Sequence, residues 1–418
     1  MEFNEMQLEN ILEINPRNSL KKGTVAKKVA MEHLYEYVKK IQDYEITEFK
    51  SGSKFKNGDT LVARITPCLE NGKTAYVDIL DGEEIAFGST EFFVVRAKQG
   101  KADSQFIYYL MRSPEVREIT IQSMTGTSGR QRAQKEAILG HIMKVPDLDA
   151  QKKIGYILSL YDEKIESNKD IIITLEQLSK TLFKYWFIDF EFPNQQGEPY
   201  KTSGGEMMES ELGKIPKWWT VKTINDFAAG NVITGKTPST KKKEYYADKG
   251  MPFITIPDMH NKVFITEATK YLTDLGVQSQ SKKIIPKNSI CVSCIATPGL
   301  VILTSEDSLF NQQINSFTPS SEELYYLFFS LKNISDYIRD LGSSGSATLN
   351  LNKTQFSKIK IVSPSKDILN LFNNSVKPLF EQILELQKEN QKLEQLRDTL
   401  LPKLLSGEIE IQDDLEVE

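Results

Sequence analysis

The chain has 418 residues, 39% hydrophobic and 26% charged, with a net charge of −5, which allows two or three domains with buried cores. Its longest apolar runs fall far short of a bilayer span, and Met1-Glu2-Phe3-Asn4-Glu5 lacks the basic opening of a signal peptide. Cys68, Cys291 and Cys294 have no disulfide-framework spacing, so a reducing cytoplasm is expected.

The charge is unevenly placed. Residues 1–149 carry 21 basic and 22 acidic side chains, whereas residues 215–365 carry 17 and 12, a local net of +5. Local patches rather than the total decide what a surface binds.

In chain order, the first 50 residues open with a short helix. From Phe55 onward short β-branched runs alternate with turn signals: Thr60–Ile65, Thr66-Pro67, Asn71-Gly72, Thr74–Val77, Ile85–Gly88 and Phe92–Val95. This pattern reads as a small sheet. Phe106–Arg117 has a helical pattern, and Gly126-Thr127-Ser128-Gly129-Arg130-Gln131-Arg132 is a small-residue loop rich in donors. The stretch from Asp149 to Phe187 then places Ile154, Leu158, Tyr161, Ile165, Asn168, Ile172, Leu175, Ser179, Leu182 and Trp186 at alternating spacings of four and three. That is a coiled-coil seam, on a helix roughly 60 Å long, and it needs a partner.

The partner is in the same chain. From Asp367 to Leu405 the same spacing recurs at Leu369, Phe372, Val376, Leu379, Ile383, Leu386, Asn390, Leu393, Arg397, Leu400 and Leu404. Pro378 predicts a kink or a late start, and Pro402 predicts fraying. Leu175-Glu176-Gln177-Leu178 reappears as Leu393-Glu394-Gln395-Leu396, an offset of 218 residues (393 − 175). The chain therefore reads as two copies of one unit, each a globule followed by a long helix. The expected divisions are globules at 1–149 and 215–365, helices at 150–190 and 366–408, a linker at 191–214 and an acidic tail at 409–418. If the helices pair antiparallel, Asn168 faces Asn390, and the symmetry-related layer is Ile172 with Leu386.

A catalytic reading finds no Walker loop, no GxGxxG after a strand, no HExxH and no NPP[YF] tetrapeptide. His33, His141 and His260 are isolated from one another. Cys291-Val292-Ser293-Cys294 has no second pair and lies in an apolar run. Pro146-Asp147 with Asp162-Glu163-Lys164 imitates a nuclease pattern, but on a heptad helix its carboxylates cannot surround a metal.

A binding reading finds more. The Gly126–Arg132 loop and Gly342-Ser343-Ser344-Gly345-Ser346 occupy equivalent places, and Thr234-Gly235-Lys236-Thr237-Pro238-Ser239 leads into Lys241-Lys242-Lys243. Glycine admits a phosphate close to the backbone, hydroxyls donate to it, and Arg and Gln have the geometry to read base edges.

Gly58–Val77 (GDTLVARITPCLENGKTAYV), the ITGKTP…FITIPDM stretch, SSGSATLNLNKTQFSKIKIVSP and the LEQL…TLLPKLLSGEI ending together resemble specificity subunits of type I restriction–modification systems. The resemblance spans essentially the whole chain. It implies an α+β, pseudo-two-fold architecture in which two target recognition domains are joined by two long antiparallel coiled-coil helices. It also implies a non-catalytic subunit: each domain reads half of an interrupted site in double-stranded DNA, and the helices set the spacer. Implied partners are methyltransferase subunits, two in number, and restriction subunits. S-adenosylmethionine, ATP and Mg then belong to those partners, with no cofactor on this chain.

The candidate DNA-binding residues are Arg64, Asn71, Lys73, Thr127, Ser128, Arg130, Gln131, Arg132, Lys236, Thr237, Ser239, Lys241, Lys242, Lys243, Ser343, Ser344 and Ser346. Candidates for the helix pair and subunit docking are Ile165, Asn168, Ile172, Leu175, Ile383, Leu386, Asn390 and Leu393, with Trp186 in the aromatic cluster Phe183, Tyr185, Trp186, Phe187. Two competing readings are a nuclease or methyltransferase acting alone and a coiled-coil scaffold that does not touch DNA.

Overall fold

The computed structural model describes residues 2–343 and 350–411. It divides into two compact units, Met1–Glu166 with Gln391–Glu418, and Ser167–Asn390. In the first unit β1 (Phe3–Gln7), β2 (Leu12–Ile14), β3 (Val25–Val29), β4 (Glu45–Glu48), β5 (Ser53–Phe55), β6 (Thr60–Ala63), β7 (Thr74–Tyr76), β8 (Ala86–Gly88) and β9 (Phe92–Ala97) lead to three helices. These are α1 (Ser104–Arg112), α2 (Pro114–Gln122) and α3 (Lys135–Leu139). Then β10 (Ile142–Pro146) precedes the first long helix, Leu148–Phe183.

The opening segment is a strand rather than the expected short helix. β1 pairs antiparallel with β10, setting Glu5 opposite Lys144, and a cross-strand partner outweighs a weak local helical preference. One four-stranded sheet runs β2-β9-β6-β7, all antiparallel; a second runs β4-β3-β8-β5, with β3 and β8 parallel. The expected helix from Phe106 to Arg117 is two helices, because Ser113 Oγ accepts from the Val116 N–H and caps a second helix that starts at Pro114, whose fixed φ suits a first helical turn. Phe106 through Met111 are buried in one cluster with Val62 and Phe93 from the sheet and Ile154 and Leu158 from the long helix.

Gly155 permits that packing. A Cβ there would lie 2.8 Å from Asp103 Oδ1 and 3.0 Å from the Phe106 nitrogen, the acceptor and donor of the α1 N-cap. Gly155→Ala should therefore lower the thermal stability of this unit. An overpacking cost of about 1–3 kcal/mol opposes a helix-propensity gain of about 1 kcal/mol. A raised melting temperature would show that the contact relaxes freely.

The second unit repeats the plan. Ile290–Ser293 lies between Val301–Thr304 and Ile314–Phe317, antiparallel to both, as β6 lies between β7 and β9. Met251–Ile254 runs parallel to Leu309–Phe310 as β3 runs parallel to β8, and Thr220–Thr223 pairs with Lys360–Ser363 as β1 pairs with β10. Cys291 and Cys294 belong to this buried sheet region, where burial pushes both thiols up to about 12. Among the described residues no group of three or more His, Cys, Asp and Glu is placed to hold a metal.

The segment read as a linker is structured. Phe192 stacks between Tyr200 and Trp219, and Met207–Ser210 forms a hairpin with Gly213–Pro216. Its Gly and Ser residues serve tight turns, while aromatics spaced too widely to register as a pattern anchor it.

The second long helix, Lys366–Ser406, runs unbroken through Pro378 and ends beyond Pro402. Proline removes one helical hydrogen bond. Here Phe372, Val376 and Phe380, all fully buried, hold the turns on either side of Pro378 to the core. The first long helix closes with a π-helical turn, Lys184–Ile188, that turns Trp186 and Phe187 inward beside Phe372. Among the described residues no helix is long and apolar enough to cross a membrane.

Two polar layers mark the seam. In the second unit the buried Asn168 side chain donates to Asn390 Oδ1 and to the Glu389 carboxylate, each at 2.8 Å. In the first unit Asp162 and Arg397 form an ion pair with both side chains almost fully buried. Six residues back along one helix correspond to seven residues forward along the other, so the helices are antiparallel. The seam expected Tyr161 inside. Instead Asp162 is buried and Tyr161 is half-buried, because Arg397 recruits the carboxylate.

Candidate nucleic-acid interface

In the first unit the Met124–Arg132 loop is closed at its base. Thr125 and Arg132 exchange backbone hydrogen bonds, Thr66 N–H donates to Gln131, and Ala133 N–H donates to Arg64. The loop thereby joins the segment after β6, and the two stretches singled out in the sequence form one surface. Gly126 and Gly129 have positive φ, which glycine adopts without steric cost, and the tip Thr127, Ser128, Gly129, Arg130 is exposed.

Arg132 is already engaged by a counter-ion within the unit. Its guanidinium grips Glu91 through Nε and Nη2 at 2.6–3.0 Å, and these bonds hold the Glu91 carboxyl below its ordinary range. Arg64 lies over the Phe93 ring with its Nε 3.9 Å from the same carboxylate. Gln131 is half-buried, so Arg130 is the exposed forked donor of the loop.

A second cluster forms around Asn71 and Lys73. Asn71 donates to Glu36, Lys73 Nζ donates to the Met31 carbonyl, and Tyr37 N–H donates to Gly72. Arg117 lies over the Tyr37 ring and donates to the Glu70 carbonyl. The segment Tyr35–Tyr44 thus belongs to this surface, with Tyr35, Tyr37 and Tyr44 exposed. Sequence reasoning passed over it, although three tyrosines and two lysines in ten residues are a readable signal. One of those lysines is turned inward: Lys39 Nζ sits over the rings of Tyr76, Tyr108 and Tyr109, and burial lowers the pKa of its ammonium.

In the second unit the Thr234–Lys243 loop is pinned at both ends. Gly235 packs against the Phe310 and Asn311 carbonyls, where a Cβ would meet oxygen at 2.2 Å, and Tyr246 donates its hydroxyl proton to Pro238. Thr237 donates to Gln312 and Lys242 to the Tyr245 hydroxyl, whereas Lys236, Ser239, Lys241 and Lys243 project into solvent. The glycine-serine loop has the same base as its first-unit counterpart: Ile295 bridges Asn350, and Leu351 N–H donates to Cys294. Ser344 and Ser346, the Ser343 side chain and the tail from residue 412 lie outside the described residues.

Of the helix-pair candidates, Ile165, Asn168, Ile383 and Asn390 are buried, and Ile172, Leu175, Leu386 and Leu393 are half-buried. Trp186 offers no docking surface; it packs into the second unit's core with Phe183 and Phe187, and only Tyr185 of that cluster is exposed. The aromatic density marked a core, because the π-helical turn points the consecutive Trp186 and Phe187 inward. The nuclease-like residues have structural duties: Asp147 caps the first long helix, accepting from Ala150, and Asp162 pairs with Arg397.

The repeated globule with a long helix, carrying exposed basic and hydroxyl-bearing loops, defines a duplicated DNA-specificity architecture. A family model described as the type I restriction modification DNA specificity domain matches residues 1–177 and again 216–395, and the chain belongs to that family. It is 38% identical over 409 residues to the type I restriction enzyme HindI specificity subunit of Haemophilus influenzae, covering 85% of this chain and 87% of that protein. The MjaIX specificity subunit of Methanocaldococcus jannaschii is 26% identical over 330 residues, 74% of this chain and 70% of that one. A crystal structure of the type I restriction–modification system S subunit from M. genitalium covers 98% of this chain and 97% of its own, with TM-score 0.56 and 16% identity, a likeness of fold.

Proposed function

We propose that this chain is the DNA-reading subunit of a type I restriction–modification complex, each globule reading one half of an interrupted duplex site. The observation that carries it is the recurrence of one strand and helix plan in both units, each continuous with a long helix of an antiparallel pair. A duplicated frame suits two half-sites at a fixed separation. The helix pair sets the spacer and docks two methyltransferase subunits, with restriction subunits joining the assembly in the cytoplasm. Chemistry resides on those partners: methylation with S-adenosylmethionine, and ATP- and Mg-dependent cleavage. This subunit is not a catalyst, and neither the stand-alone enzyme nor the DNA-free scaffold is supported by family membership.

Methylation mapping in cells carrying this chain with its methyltransferase tests the reading. Two short sequence blocks separated by a constant gap are expected; a single uninterrupted motif overturns it.

Within that complex, Lys241→Ala should weaken binding across all sequences and reduce the salt slope by about one, the signature of a lost phosphate contact. Arg130→Ala should cost about 1–3 kcal/mol and relax the preference at one position of one half-site. DNA titrations at several salt concentrations, with substituted half-sites, separate the two outcomes.

A further inference from the structure

The buried charges of the first unit do not end at the helix seam. Asp162 accepts from Arg397 on one side and from the Tyr109 hydroxyl on the other. With its proton committed to Asp162, the Tyr109 oxygen is an acceptor, and Lys39 Nζ donates to it at 3.3 Å. The same ammonium lies 5.1–5.6 Å from the ring centroids of Tyr76, Tyr108 and Tyr109, within cation–π range. A polar chain thus runs from both long helices, through α1, to the segment Leu34–Tyr44.

The fold does not call for this chain. At the 218-residue offset Asp162 corresponds to Phe380 and Arg397 to Ser179. Both are fully buried, and Phe380 packs on the rings of Tyr325, Phe328 and Phe329 at 4.3–5.6 Å. An uncharged layer therefore closes the second unit. Enclosing charges is the costlier solution, and burial disfavours the Lys39 ammonium in particular. Its presence in one unit only requires a task beyond closing the core.

The segment supplies the task. Leu34–Tyr44 lies between β3 and β4 with no helix or strand of its own. Tyr37 N–H donates to Gly72, and Tyr76 N–H to the Lys39 carbonyl. Leu34 and Ile41 are buried, whereas Tyr35, Tyr37, Lys40 and Tyr44 face solvent. Phenolic hydroxyls and a lysine are donors for the sugar–phosphate backbone, and such contacts fix the register of a protein on a duplex.

We infer that Lys39 is a positioning residue for the half-site read by the first unit. Its caged ammonium ties Leu34–Tyr44 to the long helices, which sets Tyr35, Tyr37 and Lys40 against the sugar–phosphate backbone. This rests on the DNA-reading function proposed above and adds a residue that acts without touching DNA. Phosphate contacts tied to the helices keep that half-site in register with them; a segment free to slide does not.

Lys39→Met keeps the side chain's length and its contacts with the rings but removes the charge. Tyr109→Phe keeps the ring and removes the hydroxyl. Each full-length variant would be assembled with its methyltransferase and footprinted with hydroxyl radicals, at saturating protein, on DNA carrying the mapped site. The wild type is expected to protect both sequence blocks. Lys39→Met should lose protection of a few sugars in one block only, with affinity lower by about tenfold or more. Tyr109→Phe should act at the same sugars to a smaller degree. The double variant should bind no more weakly than Lys39→Met, because both substitutions cut one chain. An unchanged footprint and affinity for Lys39→Met overturn the proposal. So do additive losses in the double variant, and protection that thins over both blocks together, the mark of a damaged fold. A wild-type complex that leaves no two-block footprint overturns the DNA-reading function itself.

Discussion

Replacing Asp162 with asparagine should destabilise the first unit by about 3–5 kcal/mol, the cost of leaving a buried charge without its counter-ion. Arg397 is only 4% exposed in its side chain, so it cannot turn to water. Its other partner, Asp398 at 2.9 Å, is half-exposed, and water weakens that attraction. The loss extends to Tyr109. Its hydroxyl donates to Asp162, and burial together with that carboxylate holds its pKa well above the ordinary value. Amide exchange in α1 reads the effect locally, with acceleration of about a hundred- to several-thousand-fold expected. The three tryptophans, Trp186, Trp218 and Trp219, all lie in the second unit and report on it separately. Exchanging both members of the pair for apolar residues, Asp162→Leu with Arg397→Met, should recover most of the loss, because the desolvation cost disappears with the charges. If Asp162→Asn proves as stable as the parent, the ion pair is not structural.

Lengthening both long helices by seven residues, between Glu166 and Ser167 and between Asn390 and Gln391, should widen the gap in the recognised site by about three base pairs. Seven residues add about 10 Å of helix, and duplex DNA rises about 3.4 Å per base pair. Near Glu166–Ser167 four added residues would also lengthen the rod, but would rotate one side of the seam out of phase; a whole heptad preserves it. Both insertions fall between the Asp162–Arg397 and Asn168–Asn390 layers, so each layer keeps its partner. Lengthening one helix alone shifts one layer against apolar neighbours and should abolish site-specific methylation. Methylation mapping measures the gap directly, and a gap unchanged after the double insertion removes the ruler.

The seam was legible because heptad spacing and buried asparagine are local, periodic signals. The Asn168–Asn390 layer is compatible with the offset between copies, but the offset admits other registers, and the side-chain contact fixes this one. Asp162 was not legible, since it lies one place off the seam and comes inside only to meet Arg397. Trp186 was misleading for a related reason: an aromatic cluster at a helix end looks the same whether it faces a partner or a core, and the π-helical turn decides which. In the loops, Arg130 and Arg132 stand two residues apart with the same chemistry. Nothing local reveals that Glu91, 41 residues away, already holds one of them.

The amino-acid sequence by itself determined that this protein is a doubled unit with two long helices, each carrying a heptad seam, because repetition and periodicity survive without knowledge of contacts. Only the tertiary structure decided which loop donors are already held by partners within the chain and how Pro378 is accommodated. Each of those depends on groups distant in the chain meeting in space, and on whether burial or a counter-charge claims a side chain first.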